Sequence, residues 1–226
     1  MIYGKTVKGK FLSRPNRFIA LAEIDGRQEI CHVKNTGRCK ELLVPGADIV
    51  LEENKSPARK TGYDLIAVCK NGMLVNIDSQ APNRIFGEWV KESGFFGPDA
   101  VVMPEKSYKN SRFDFYIESE SRKIYAEVKG VTLENGGELM FPDAPTERGR
   151  KHIKELTEAV KEGYEAYAVF VVQMKRCTSF SPNRKTDPEF ARLLDTAVQS
   201  GVRLLVLTSD VTENGIKIAD IFEHTP

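Results

Sequence analysis

Apolar and polar residues alternate in short runs along the first part of the chain: KGKFL, RFIALAEI, Gln28 to Val33, ADIVLEE, YDLIAVCK and GMLVNID. A period of two predicts half-buried strands, and the dipeptides Asp25-Gly26 and Asn71-Gly72 between runs predict tight hairpins. No helix-length periodicity interrupts the series, so residues 1–80 are expected to form a small antiparallel barrel of the OB type.

The period changes at Ala81-Pro82-Asn83. Ile85, Phe86, Trp89 and Val90 then recur at helical spacing up to Gly94. Two strands, SRFDFYI and KIYAEVKG, read as a hairpin across the polar turn Glu118 to Arg122. A loop with Gly136-Gly137 and Pro142 leads to a helix that starts near Thr146, shows Ile153, Leu156 and Val160 on one face, and stops at Gly163. AYAVFVVQM is apolar on both faces and predicts a central strand; FARLLDTAVQSG and VRLLVLTS complete a strand, helix, strand crossover, and GIKIADIF adds an edge. Residues 81–226 therefore read as a second, α/β domain.

Composition narrows the class. With 226 residues, 41 % hydrophobic and 29 % charged, the chain is long enough for a real core. It has no apolar run near the ~20 residues of a membrane span. The start, MIYGKTVKGK, lacks a secretory stretch, so the cytoplasm is the expected location and no membrane partner is expected. The four cysteines are spread out: Cys31 and Cys39 are too far apart for a zinc knuckle, and Cys69 and Cys177 sit in apolar runs, so buried thiols are expected. The net charge of +1 divides into +4 on residues 1–80 and −3 on the rest. A basic front half suits a polyanion-binding module.

The chemistry concentrates in the hairpin. Phe113, Phe115 and Ile117 share one face and leave Asp114 on the other; Ile124, Ala126 and Val128 do the same and leave Glu127 and Lys129 opposite. Matching apolar residues pairs Ile117 with Ile124, Phe115 with Ala126 and Phe113 with Val128, which puts Asp114 across from Glu127. Facing Cβ atoms lie roughly 4.5–5.5 Å apart, where like charges repel unless a cation separates them. Mg²⁺ or Mn²⁺ takes such hard oxygens, and two carboxylates plus a strand carbonyl near Val128 leave positions for water and phosphate. Lys129 is then placed to orient or deprotonate the attacking water and to offset transition-state charge. The rival is a surface hairpin in which a lysine offsets two acids.

Through RPNRFIA, NTGRCKELLVPGA, SRFDFYI, AEVKGVTL and FPDAPTERGRKH the chain resembles the sugar fermentation stimulation protein (SfsA) family over nearly its whole length. The resemblance implies DNA binding and an OB-like barrel followed by a PD-(D/E)XK nuclease-like α/β domain. On that pattern Asp114 fills the first acidic position, Glu127 the second and Lys129 the lysine. Members of that superfamily used only for binding keep a second reading open: a non-catalytic DNA-binding regulator of sugar metabolism genes. An RNA-processing or small-nucleotide enzyme is a third. Glu88 on the opening helix and Glu105 before the hairpin are further carboxylates for a metal shell, with ordinary solvation as the rival.

For nucleic acid, Arg148 and Lys151 lie near a helix start, where cations and free N–H groups meet phosphate; His152 beside them is expected at the surface. In the barrel, three groups pair arginine with turn or aromatic residues: Arg14, Asn16, Arg17 and Phe18; Asn35, Thr36, Gly37 and Arg38; Arg59, Lys60 and Tyr63. They suit phosphate contact plus base stacking, on duplex or single strands, and plain turns as well. The sequence leaves assembly into a homo-oligomer open. It pairs neither His32 nor His224 with a nucleophile.

Overall fold

The computed structural model describes residues 1–222 apart from Thr36, Lys55, Pro57, Arg176 and Cys177. Thr36, Cys177 and His224, singled out above, thus lie outside the described residues. Strands β1 (Thr6–Asn16), β2 (Ile19–Ile24), β3 (Arg27–Val33), β4 (Asp48–Glu53), β5 (Tyr63–Lys70) and β6 (Met73–Asn76) form one sheet in the order β3-β2-β1-β4-β5-β6. A parallel pairing of β3 with β5, from Cys31–Tyr63 to Val33–Leu65, closes five of them into an OB-like barrel. The hairpin dipeptides take the left-handed conformation that tight turns require, with φ of 50° and 73° at Asp25-Gly26 and 52° and 76° at Asn71-Gly72. Register shifts along β1 after Phe11 and Ser13 let that long strand turn with the barrel. Phe11, Leu51 and Leu65 fill the interior, each burial contributing roughly 1.5–3 kcal/mol.

The chain continues as α1 (Ala81–Ser93), β7 (Val101–Tyr108), β8 (Ser111–Ser119), β9 (Arg122–Val131), β10 (Leu133–Asn135), β11 (Glu138–Phe141), α2 (Glu147–Lys161), β12 (Glu165–Val172), β13 (Ser179–Pro182), α3 (Pro188–Gln199), β14 (Arg203–Thr212) and β15 (Gly215–Phe222). The main sheet runs β15-β14-β12-β9-β8-β7, with β9, β12 and β14 parallel at its centre. On one face Ile85, Phe86 and Val90 of α1 pack on Phe115, Ile117, Ile124, Ala126 and Val128. On the other, Ile153 and Leu156 of α2 and Phe190 and Leu194 of α3 pack with Tyr125, Ala168 and Phe170. Thr146 Oγ1 caps α2 through the Gly149 N–H, and Asp187 caps α3 through the Phe190 N–H while also accepting from the Thr146 N–H.

Three details depart from the sequence reading. Residues 101–108 form a strand, although Pro104 and a run of exposed polar side chains hide it; proline is tolerated because β7 is an edge. The segment read as a loop around Gly136-Gly137 is the turn of the β10–β11 hairpin, and β11 then pairs in parallel with β13, forming a separate small sheet. Phe113 does not share the face of Phe115 and Ile117: it packs with Tyr108, Tyr125 and His152 on the α2 side. Cys31 and Cys39 are buried, which pushes their thiols up to about 11 and about 12, whereas Cys69 is only half-buried. No helix among the described residues is long and apolar enough to cross a membrane.

Candidate functional site

The β8–β9 ladder runs from Ser119–Arg122 through Ile117–Ile124 to Phe115–Ala126. Its next rung is made by a side chain: Asp114 Oδ2 accepts the Val128 N–H at 2.8 Å, and Oδ1 accepts from Asn83 Nδ2 of α1, also at 2.8 Å. The expected pairing of Phe113 with Val128, and the facing of Asp114 and Glu127 as a regular rung, are therefore replaced by a splayed end, with Phe113 turned to the other face. α1 reaches this end because residue 130 is glycine; a Cβ there would lie 2.5 Å from Gln173 Oε1 and 2.8 Å from Pro82 Cγ. Burial, then the charge of Glu127, push the Asp114 carboxyl above the ordinary carboxylate range against the pull of the Val128 N–H, Lys129 and Asn83.

Glu127 lies in the middle of the sheet, 2 % exposed, with β8 on one side and β12 on the other. Its Oε1 accepts from Lys129 Nζ at 2.5 Å and meets His152 Nδ1 of α2. Burial alone would raise this carboxyl; the hydrogen bond from His152 and the charge of Lys129 outweigh it and hold Glu127 low. The surface position expected for His152 is overturned, since it is 4 % exposed and belongs to the buried stripe Gly149, His152, Ile153, Leu156 and Ala159.

The other oxygen of Glu127 is different. Oε2 is buried without a hydrogen-bond partner among the described residues, a condition that costs about 1–3 kcal/mol, more for a charged group. An orphaned carboxylate oxygen beside a second, electrostatically strained carboxylate fits a hard divalent cation. Among the described residues no group of three or more His, Cys, Asp or Glu side chains is arranged to hold a metal. An ion here would rest on Asp114 and Glu127 and draw the rest of its shell from water and phosphate, a habit of Mg²⁺.

The remaining expectations divide. Glu88 is tied to the Met1 ammonium at 2.6 Å and to Arg84, and the α1 side chain that touches the acidic pair is Asn83 instead. Glu105 is exposed and bridges Arg112 at 3.2 Å, away from the acidic pair's hydrogen bonds. Arg148 and Lys151 are exposed and line a cleft with Ser111, Arg112, Glu147 and His152, so they adjoin Glu127 through His152. In the barrel, Arg14 spends its guanidinium on the carbonyls of Arg17, Asn35, Gly37 and Arg38, and so holds a loop. Asn16 Oδ1 accepts from the Phe18 and Ile19 N–H groups, and Asn35 bridges the Gly37 N–H and the Ile77 carbonyl. Arg59 forms a two-pronged pair with buried Asp64. Arg17, with its guanidinium 4.8 Å from the Phe18 ring, and Arg38 and Lys60 stay exposed.

Known proteins carry the same two-part layout. Residues 12–77 match the SfsA N-terminal OB domain, and residues 80–215 match the sugar fermentation stimulation protein RE domain. The chain belongs to the sugar fermentation stimulation protein (SfsA) family. Its relatives include sugar fermentation stimulation protein homologs from Clostridium beijerinckii, 51 % identical over 97 % of both chains, and Desulfitobacterium hafniense, 54 % identical over 97 % of this chain and 96 % of that one. A solved structure of Pyrococcus furiosus SfsA in complex with Ca²⁺ superposes with a TM-score of 0.88 at 29 % identity, covering 98 % of this chain and 96 % of that one. The SfsA family's barrel-plus-α/β architecture is thus that of this chain.

Proposed function

We propose that this SfsA-family chain binds DNA and cleaves phosphodiester bonds with a divalent cation held by Asp114 and Glu127. The observation that carries the reading is the orphaned, buried Oε2 of Glu127, a carboxylate whose charge acts on the Asp114 carboxyl held at the neighbouring Val128 N–H. Support comes from the Pyrococcus relative, whose structure is a complex with Ca²⁺, a cation that takes the same hard oxygens.

A bound divalent ion would supply Lewis-acid charge and a more acidic water. The chain's own groups do the rest. Lys129, only part-buried and on the same strand face as Glu127, is placed to hold the attacking water and offset charge on the phosphoryl oxygens. Arg148 and Lys151 in the adjoining cleft, and Arg17, Arg38 and Lys60 on the barrel, neutralise the backbone on either side, which makes affinity fall with salt.

The test offers duplex DNA, single-stranded DNA and RNA with Mg²⁺ or Mn²⁺, using chelator and Lys129→Ala as controls. Metal-dependent cleavage lost in Lys129→Ala is expected. A second reading, the non-catalytic regulator, is favoured by the ion pair that already occupies Lys129 and Glu127. Tight DNA binding without cleavage under any metal decides for it.

A further inference from the structure

His152 is the one group of α2 that reaches the acidic pair, and its surroundings fix it there. The ring is 4 % exposed and meets the edge of Phe113 at 6.3 Å and 71°, which is the contact that the switch of Phe113 to this face creates. Because Glu127 as a carboxylate can only accept, the proton between Nδ1 and Oε1 belongs to the histidine. Oε1 therefore takes two donors, His152 Nδ1–H and Lys129 Nζ, and Oε2 takes none.

We propose that His152 is a positioning residue: by holding Oε1 it fixes the Glu127 rotamer that presents Oε2 to the divalent cation. The role rests on the metal-dependent reading above. It differs from packing because it depends on one ring nitrogen. An asparagine amide can put its N–H where Nδ1 stands; a glutamine amide reaches toward Nε2; an alanine offers neither.

The experiment compares the full chain with His152→Asn, His152→Gln and His152→Ala. The first readout is the Mn²⁺ concentration giving half of the maximal rise in melting temperature, which needs no turnover. Residues that orient a ligand change metal affinity by about 10–100-fold. His152→Ala and His152→Gln should raise the midpoint at least about 10-fold, while His152→Asn stays close to the parent. On DNA, kcat should fall in the first two with KM nearly unchanged, since the phosphate-binding cations are untouched. Unchanged midpoints in all three variants, even with lower metal-free melting temperatures, would overturn the proposal and leave His152 a packing residue. Rescue by glutamine and not asparagine would overturn it too. If alanine does not fold, the asparagine and glutamine variants decide. A parent that shows no Mn²⁺ response brings down the metal reading and this proposal together. A parent that binds Mn²⁺ without cutting any nucleic acid brings down the nuclease reading alone, because the midpoint comparison still stands.

Discussion

Two buried carboxylates in this molecule look alike at first and differ in one oxygen. Asp64 in the barrel is 1 % exposed; Arg59 reaches its Oδ2 at 2.8 Å and its Oδ1 at 2.5 Å, His32 Nδ1 lies 3.0 Å from Oδ1, and Lys34 Nζ is 3.6 Å from Oδ2. Glu127 in the α/β domain is also buried and also faces a cation and a histidine, but both act on Oε1. Burial raises both carboxyls and their partners more than reverse it, so both are held low. The barrel cluster is closed, as a structural ion pair has to be. The other keeps an unmet acceptor inside the fold, the oxygen that the proposal above gives to a divalent cation.

Breaking Glu127 should produce the largest effect. If the proposed function holds, Glu127→Gln is expected to lower kcat/KM for DNA cleavage by at least about 10²–10³-fold and to abolish the stabilisation by Mn²⁺ expected of the parent, about 2.7 kcal/mol with free ion at a hundred times its Kd. Cleavage assays and melting curves with and without Mn²⁺ check this; a variant that keeps both puts the two carboxylates in one class.

Next comes Arg59→Ala, which strands Asp64 inside the barrel. Breaking a buried pair costs about 3–5 kcal/mol; with Lys34 still near and Arg59 partly exposed, about 2–3 kcal/mol is expected in urea unfolding. The salt dependence of DNA binding should not change, since Arg59 is committed to Asp64.

A smaller effect comes from pH, where Asp64 and Asp114 have opposite signs. Asp64 is held below its ordinary value, so its stabilisation is present above the ordinary Asp range and is lost as pH falls through its folded value. Asp64→Asn should be destabilised at neutral pH, and the gap should close on acidification. Asp114 is raised, so its carboxylate burdens the metal-free fold increasingly as pH rises from the ordinary Asp value through the raised one. Asp114→Asn should therefore match the parent in acid and exceed it at neutral pH. Urea midpoints between pH 3 and pH 7, ~1 M or less apart, would show the crossing trends; parallel trends would refute the assignment.

The smallest effect concerns the exposed cations. Arg17→Ala or Arg38→Ala should each flatten the log-log salt slope of DNA binding by about 0.9 on duplex or about 0.7 on single strands, with no change in melting temperature. Arg14→Ala should do the reverse and loosen the loop it holds by four carbonyl contacts.

What could be read from the sequence follows from how local each signal is. Alternation gave the barrel strands and the Ile117–Ile124 and Phe115–Ala126 rungs, because a half-buried strand writes its period into its own residues. β7 carries no apolar period, because five of its eight side chains are exposed and Pro104 interrupts the run. β11 and β13 pair across some forty residues with four rungs, a non-local contact that no window contains. Asp114, Glu127 and Lys129 were found through spacing. Asn83 and His152 were not. Asn83 lies in an Ala-Pro-Asn stretch whose local signal marks only a boundary, while the charged neighbours of His152 mask its helical spacing with Ile153, Leu156 and Ala159.

The large hydrophobic cluster does not stop where the barrel ends: Phe11, Leu65, Val68 and Val75 belong to the same packed group as Val131, Leu139, Met174 and Val206. The Asn76 N–H donates to the Gln173 carbonyl, and Gln173 Nε2 donates to Asn76 Oδ1 and the Asp78 carbonyl, stitching the same seam with polar groups that have no water to return to. Calorimetry should accordingly show one endotherm whose van't Hoff and calorimetric enthalpies agree, not two. On that outcome the two modules, matched by separate family models, would melt as a single thermodynamic body, and cutting them apart would bare the shared apolar cluster on each half.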